Sequence, residues 1–282
     1  MPNIGWINGQ FKPLEEILVS VEDRGFQFGD GVYEVIRTYG GKPFHLKSHL
    51  ARLEQSARAI HLPISLTIAV WESRILEGIR LSGYRESKIY IQLTRGVAPR
   101  DHQFPGPDSL SVLMTVREME GPDPIQIEQG VAAITLPDLR WGRCDIKSLN
   151  LLPNVLAKQQ AREAGAFEAI FVRDGMVTEG ASSNVMMVSS GRFMTPALNH
   201  HILAGVTRQV VVDLARKEGI EVEEQPIKKV GELSKAEEIC LVGTTIEVLP
   251  VTRLDGKSVG SGRPGELTTL VAKRFRAVVV SS

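Results

Sequence analysis

The stretch "RWGRCDIKSLN", residues 140–150, sets a lysine where the pattern reads as the end of a strand passing into a helix. Lys147 follows the aliphatic Ile146 and precedes Ser148, a residue type that caps helix N-termini. Lysine is among the residues least often fully buried. An ammonium steered into such a junction is either a solvated side chain at a helix start or a group with a task. The choice depends on what the rest of the chain offers it.

Downstream, the pattern predicts a helix from Ser148 to about Ala164. The strand "GVAAITL" (130–136) precedes it, and strands through "FEAIFVRDGMVTEGASSNVMMVSSGRFMTP" (167–196) follow, turning at Asp174-Gly175. A helix is expected from near Val206 to Gly219. "EEICLVGTT" (237–245) reads as a buried strand, and a last helix spans about Glu266 to Ala277.

Upstream, Asn8-Gly9 in "WINGQF" signals a hairpin, and "GVYEVIRTYGGKPFHL" (31–46) gives two strands around Gly40-Gly41. From Ser48, read as an N-cap, Leu50, Leu53, Ala57 and Ile60 recur at helical spacing. Another helix fills about 68–82. "SKIYIQLTRG" alternates apolar Ile89, Ile91 and Leu93 with Tyr90, Gln92 and Thr94, a half-buried strand, and "SLSVLMTVRE" is a second one.

"MEGPDPIQ" (119–126) reads as a linker, which divides the chain into domains 1–120 and 121–282. Strands and helices mix without regular βαβ alternation, so the fold class is α+β. The loop 95–109, "RGVAPRDHQFPGPDS", is long and proline-rich, and such loops in compact domains are usually functional or disordered.

Composition narrows the classes. The 33 basic and 33 acidic residues balance, which removes an electrostatic pull towards nucleic acid or anionic membrane, and 43% hydrophobic content is that of a globular protein. Cys144 and Cys240 are far apart, so neither a disulfide framework nor a metal site is suggested, and both read as buried thiols in a reducing compartment. The first residues lack a signal-peptide pattern, and no apolar run approaches a membrane span; a cytoplasmic protein is expected.

Several constellations could give Lys147 partners. Apolar neighbours disfavour a charged amine, so Lys147 could be a Schiff-base lysine that attacks an aldehyde and shuttles a proton. Glu179, in "VTEGASSN" (177–184), is an ordinary turn glutamate or a carboxylate facing a protonated ring nitrogen. Val206 and Thr207 after Gly205, Thr244 after Gly243, and Arg52 each have a plain structural reading, yet together they suit one phosphate group. Arg100 and His102 alternate in the long loop and suit recognition of a carboxylate, or are merely polar surface. Tyr33 is core packing or a hydroxyl donor.

"EDRGFQFGDGVYEVIRTYGG", "TRGVAPRDHQFP", "RCDIKSLNLL" and "TEGASSN" together resemble the D-amino acid transaminase branch of the fold-type IV pyridoxal phosphate enzymes, over roughly residues 20–260. Within these, "DIKSLN" and "TEGASSN" serve the whole fold type, and the Arg-x-His loop points to the D-amino acid branch. The resemblance implies a two-domain fold, with a smaller α/β N-terminal domain, a larger C-terminal domain and the cofactor cleft between them. It makes Lys147 the aldimine lysine and catalytic base of a ping-pong transamination between D-amino acids, such as D-alanine, and 2-oxo acids, such as 2-oxoglutarate. Glu179 would pair with the pyridine nitrogen; Arg52, Val206, Thr207 and Thr244 would hold the phosphate. Tyr33, Arg100 and His102 would bind the substrate carboxylate. The loop carrying the last two would reach a neighbouring subunit, implying a homodimer. Gly243 stands where relatives can carry a serine. An L-branched-chain aminotransferase, an aminodeoxychorismate lyase and a non-catalytic cofactor-binding protein stay open as alternatives.

Overall fold

A computed structural model describes residues 2–63, 66–106, 109–227 and 230–281. The chain forms two compact units, one taking in the residues up to Glu120 together with Ile146–Asn150, the other Gly121–Asp145 together with Leu151–Ser281. The five residues around Lys147 thus cluster with the first unit, although they lie beyond the 120/121 boundary expected from the sequence.

In the first unit six strands pair, all antiparallel: β1 Ile4–Ile7, β2 Gln10–Pro13, β3 Gly31–Tyr39, β4 Lys42–Pro43, β5 Ser87–Thr94 and β6 Ser111–Glu118. Their order is β2-β1-β6-β5-β3-β4. Helices α1 (Arg24–Phe28), α2 (Leu46–Ala59) and α3 (Ile68–Ser82) join them. Strand alternation buries Ile89, Ile91 and Leu93 of β5 against Leu50 and Leu53 of α2 and Trp71 and Ile75 of α3. Ser48 is not the cap of α2. The helix begins at Leu46 after His45, whose φ of 48° starts the turn, because Leu46 belongs to the buried face.

The second unit holds α4 (Pro124–Gln129), β7 (Val131–Pro137), α5 (Leu152–Glu163), β8 (Glu168–Arg173), β9 (Met176–Gly180), β10 (Asn184–Ser189) and β11 (Arg192–Thr195). It continues with α6 (Val206–Lys217), β12 (Val222–Glu224), α7 (Val230–Leu233), β13 (Glu238–Gly243), β14 (Glu247–Leu254), β15 (Lys257–Ser258) and α8 (Glu266–Ser281). The sheet order is β12-β11-β10-β13-β14-β7-β8-β9, with β15 on β14. Part of the expected linker is helical, since Asp123 caps α4 by accepting from Ile125 N and Pro124 fits a first turn. The last helix outruns its expected end at Ala277 by continuing to Ser281. Among the described residues no helix is long and apolar enough to cross a membrane.

One pairing decides where Lys147 goes. β7 and β8 are parallel, and parallel neighbours need a long crossover. That crossover contains residues 140–150 as well as α5. Its helix does not start at Ser148, where the sequence pattern predicts it. A helix from Ser148 would put Pro153 in its interior, where the ring clashes with the preceding turn and an amide donor is missing. The helix starts instead at Leu152, with Pro153 in its first turn.

Candidate active site

Freed from the helix, residues 146–150 pass alongside β3, bending at Ile146 and Leu149, with Ser148 N donating to Ile146 O (2.8 Å) in a tight turn centred on Lys147. Tyr33 N donates to Lys147 O (3.0 Å), Leu149 N donates to Gly31 O (3.0 Å), and Val32 and Ser148 form an antiparallel bridge. Gly31 permits this approach: a Cβ there would sit 2.4 Å from Leu93 O and 2.8 Å from Leu149 Cδ1. Ile146 and Ser148 are buried, Ile146 within the first unit's core. Lys147, between them at the turn, is half-buried. Its Nζ donates to Tyr33 Oη (3.3 Å), and its amide donates to Ser56 Oγ (3.1 Å). The ammonium also lies 4.3 Å from the Tyr33 ring centroid. Tyr33 in turn packs against Tyr90 (5.7 Å), whose hydroxyl donates to Gln92 Oε1 and whose pKa is pushed up to about 12 by burial and by Tyr33.

Arg52 is engaged by Glu34, a residue absent from the sequence expectations. Its Nε and Nη2 donate to the two oxygens of Glu34 at 2.9 and 2.7 Å, and His49 Nδ1 lies 3.1 Å from Glu34 Oε1. Burial works against the Glu34 charge, but Arg52 and His49 outweigh it and hold the carboxyl far below its ordinary range. Burial lowers the His49 pKa, although Glu34 raises it. The sequence carried a signal for this group. Val32, Glu34 and Ile36 share one phase of β3, and a charge on an apolar face demands a partner.

Arg100 and His102 are exposed and gather on Phe28 of α1. The Arg100 guanidinium lies 4.3 Å and the His102 ring 5.4 Å from that ring, and Arg100 Nη1 donates to Gln27 O (3.2 Å). Arg24 donates to the carbonyls of Asp101 and His102. Among the described residues no hydrogen bond or ring contact joins Arg100 or His102 to Tyr33 or Lys147 of the same chain.

The second unit carries the remaining residues. Glu179, on β9, is buried. Its Oε1 accepts from Arg140 Nη1, and its Oε2 accepts from Asn184 Nδ2 (3.0 Å) and Leu203 N (3.0 Å). Arg140 also donates to both oxygens of Asp138, through Nε at 2.9 Å and Nη2 at 2.8 Å. Burial opposes the Arg140 charge, yet Asp138 and Glu179 overcome it and raise its pKa; Asp138 is correspondingly held low by Arg140 against its own desolvation. Nothing local in the sequence linked residues 138, 140 and 179.

Helix α6 opens at Gly205, which offers no side-chain cap, so the first-turn amides of buried Val206 and Thr207 are presented without one. A Cβ on Gly205 would lie 1.9 Å from Asn184 Oδ1, so the helix start and the Glu179 partner are packed on each other. Thr244 lies half-buried just past the end of β13. At Gly243 an added Cβ would meet nothing nearer than 3.4 Å, so the position has room for a side chain.

An amine, a buried carboxylate, and helix-start amides with a hydroxyl are the group types that suit an aldehyde, a protonated ring nitrogen and a phosphate. The chain belongs to the class IV aminotransferases, whose family profile (Amino-transferase class IV) matches residues 31–254, and its cofactor is pyridoxal 5'-phosphate. It is 45% identical to the D-alanine aminotransferase of Bacillus licheniformis over 274 residues, 97% of this chain and 96% of that one. To the D-alanine aminotransferase of Staphylococcus epidermidis (strain ATCC 12228 / FDA PCI 1200) it is 43% identical, covering 98% of each. Among solved structures, the branched-chain amino acid aminotransferase of Escherichia coli superposes with a TM-score of 0.90 at 28% identity, over 99% of this chain and 95% of that one. The branched-chain aminotransferase of the archaeon Thermoproteus uzoniensis, solved with norvaline, gives 0.88 at 28%, over 99% and 95%.

Proposed function

We propose that this chain transfers the amino group of D-amino acids, such as D-alanine, to 2-oxo acids, such as 2-oxoglutarate. The products are pyruvate-type oxo acids and D-glutamate, formed in two half-reactions on one cofactor. The observation that carries the reading is Lys147 Nζ held 3.3 Å from Tyr33 Oη on a segment bridged to β3, in a chain whose D-alanine aminotransferase relatives match it over nearly its whole length.

When bound, pyridoxal phosphate supplies an aldehyde that condenses with amines and a ring that draws electrons from the α-carbon. The chain supplies the rest. Lys147 Nζ takes the proton from the substrate α-carbon and returns one on the reverse course, and the Tyr33 hydroxyl orients that amine. Glu179 keeps a proton on the ring nitrogen. Arg52, the Val206 and Thr207 amides and the Thr244 hydroxyl hold the phosphate, with Arg52 aimed by Glu34.

A single base fixes the face from which the α-hydrogen leaves, so chirality is chosen by where the carboxylate is held. That role falls to Tyr33 with Arg100 and His102. The latter two do not touch Tyr33 within one chain, and exposed Phe26, Val97 and Phe104 lie on or near the same loop; a second copy offering its loop would unite the trap and cover these side chains. The proposed assembly is therefore a homodimer. A cytoplasmic location is proposed because Cys144 and Cys240 are both free and buried.

The test is kcat/KM for D- and L-enantiomers of alanine, glutamate and leucine, in wild type and Arg100→Ala. A charged hydrogen bond to substrate is worth about 1.5–3 kcal/mol, or roughly a 10- to 150-fold loss. Arg100→Ala should lose that much on D-substrates and narrow the D-over-L preference while leaving cofactor affinity unchanged. A wild type that prefers L-leucine to D-alanine would make it a branched-chain enzyme instead.

A further inference from the structure

We infer that Arg140 is a positioning residue for the reaction, holding Glu179 ionised and fixing the direction in which its carboxylate faces. The inference rests on the proposed role of Glu179 at the ring nitrogen. Arg140 is itself buried and set in place before it reaches Glu179. Two of its nitrogens grip Asp138, and Nη2 also donates to His201 O (3.0 Å). Asp138 is fixed in turn by Thr178 Oγ1 (3.1 Å) and Arg173 Nη2 (3.2 Å). The guanidinium is planar, so anchoring two nitrogens on one carboxylate determines where Nη1 points, which is at Glu179 Oε1. The other oxygen of Glu179 accepts from two neutral donors, Asn184 Nδ2 and Leu203 N.

A buried carboxylate deprived of its cation takes up a proton rather than keep an uncompensated charge. A neutral carboxyl no longer favours a protonated ring nitrogen. Arg140 therefore acts on the cofactor through Glu179, without touching the reacting atoms.

The titratable and charged groups around this carboxyl are Asp138, Arg140, Arg173, His201 and Cys144. Burial pushes the Cys144 thiol up to about 11, out of the working range. Asp138 and His201 have to be separated from Glu179 by experiment.

The apoenzymes of wild type, Arg140→Met, Arg140→Lys, Glu179→Gln and Arg140→Met/Glu179→Gln are compared. The readouts are affinity for pyridoxal 5'-phosphate and the visible absorbance of the bound cofactor, between about pH 5 and pH 9. Arg140→Met should weaken binding on the order of tenfold at the acid end and recover as pH rises and Glu179 ionises again. Arg140→Lys, which keeps the charge but not the two-nitrogen grip on Asp138, should bind more weakly than wild type without the acid-end loss of Arg140→Met. Glu179→Gln should be weaker at every pH, with no slope beyond that of wild type, and the double variant should match it. Should Arg140→Met not fold, Arg140→Gln, whose amide can keep a contact to Asp138, takes its place. An acid limb that survives in the double variant belongs to Asp138 or His201 and overturns the inference. So does a defect of Arg140→Met that is equal at all pH. If Glu179→Gln binds and turns over as wild type, the assignment of Glu179 itself fails. If Glu179→Gln is impaired while Arg140→Met matches wild type, only the inference about Arg140 fails.

Discussion

Glu34 and Glu179 are both buried carboxylates bound to an arginine, and they are built differently. Glu34 lies on β3 and meets His49 and Arg52, both on the next helix in the chain; Arg52 gives it two nitrogens, one on each oxygen. Glu179 is served by residues from separate stretches of the chain, and its arginine is divided with Asp138. The first carboxylate is closely neutralised by one bidentate partner. The second shares its guanidinium, because Arg140 places two nitrogens on Asp138 and directs Nη1 to Glu179. A bidentate pair suits the task of aiming a guanidinium; a carboxylate held by one guanidinium nitrogen and two neutral donors suits the task of facing another cation.

The contrast can be broken by exchanging what each variant is expected to lose. Glu179→Gln should slow a single-turnover half-reaction with D-alanine on the order of a hundredfold, since the group that keeps the ring protonated is gone. Glu34→Gln, measured with cofactor saturating, should slow the same half-reaction far less. Equal losses in the two variants would erase the distinction.

Next in size is stability. Removing the carboxylate that Arg52 grips breaks a buried ion pair, which costs about 3–5 kcal/mol. Urea unfolding of Glu34→Gln should show this, whereas Glu179→Gln should cost less because Arg140 keeps Asp138. The folded-state pKa of Glu34 is depressed, so its contribution is complete above the ordinary carboxylate value of 4.5 and lost as pH falls towards the folded value. The gap between wild type and Glu34→Gln should therefore be steady near neutrality and narrow in acid. A gap that widens in acid would have the wrong sign for this assignment.

The smallest effect sharpens the comparison from outside. Glu77 and Arg80 also make a bidentate pair, at 2.9 and 2.7 Å, but on the exposed side of α3. Water already solvates both charges there. Arg80→Ala should leave the unfolding midpoint where it is, and a clear drop would mean that geometry alone, without burial, carries the strength of the Glu34 pair.

Local elements were legible in the residues themselves. The alternation of "SKIYIQLT" fixed β5, Asp174-Gly175 fixed the turn between β8 and β9, and the spacing of Leu50, Leu53 and Ala57 fixed α2, because side-chain periodicity and turn chemistry act over a few residues. The sequence singled out Lys147 and Glu179 through their neighbours, and the glutamate in the apolar phase of β3 was there to be read. Chain packing placed Ile146–Asn150 along β3, brought Arg140 to a carboxylate on β9, and, together with Pro153, left Ser148 outside the helix. Those outcomes come from a parallel strand pair that forces a long crossover, a proline that delays a helix, and charges that meet only once distant segments are packed. The crossover and the distant charges leave no mark on the residues beside those they place, whereas Pro153 stood in the sequence to be read.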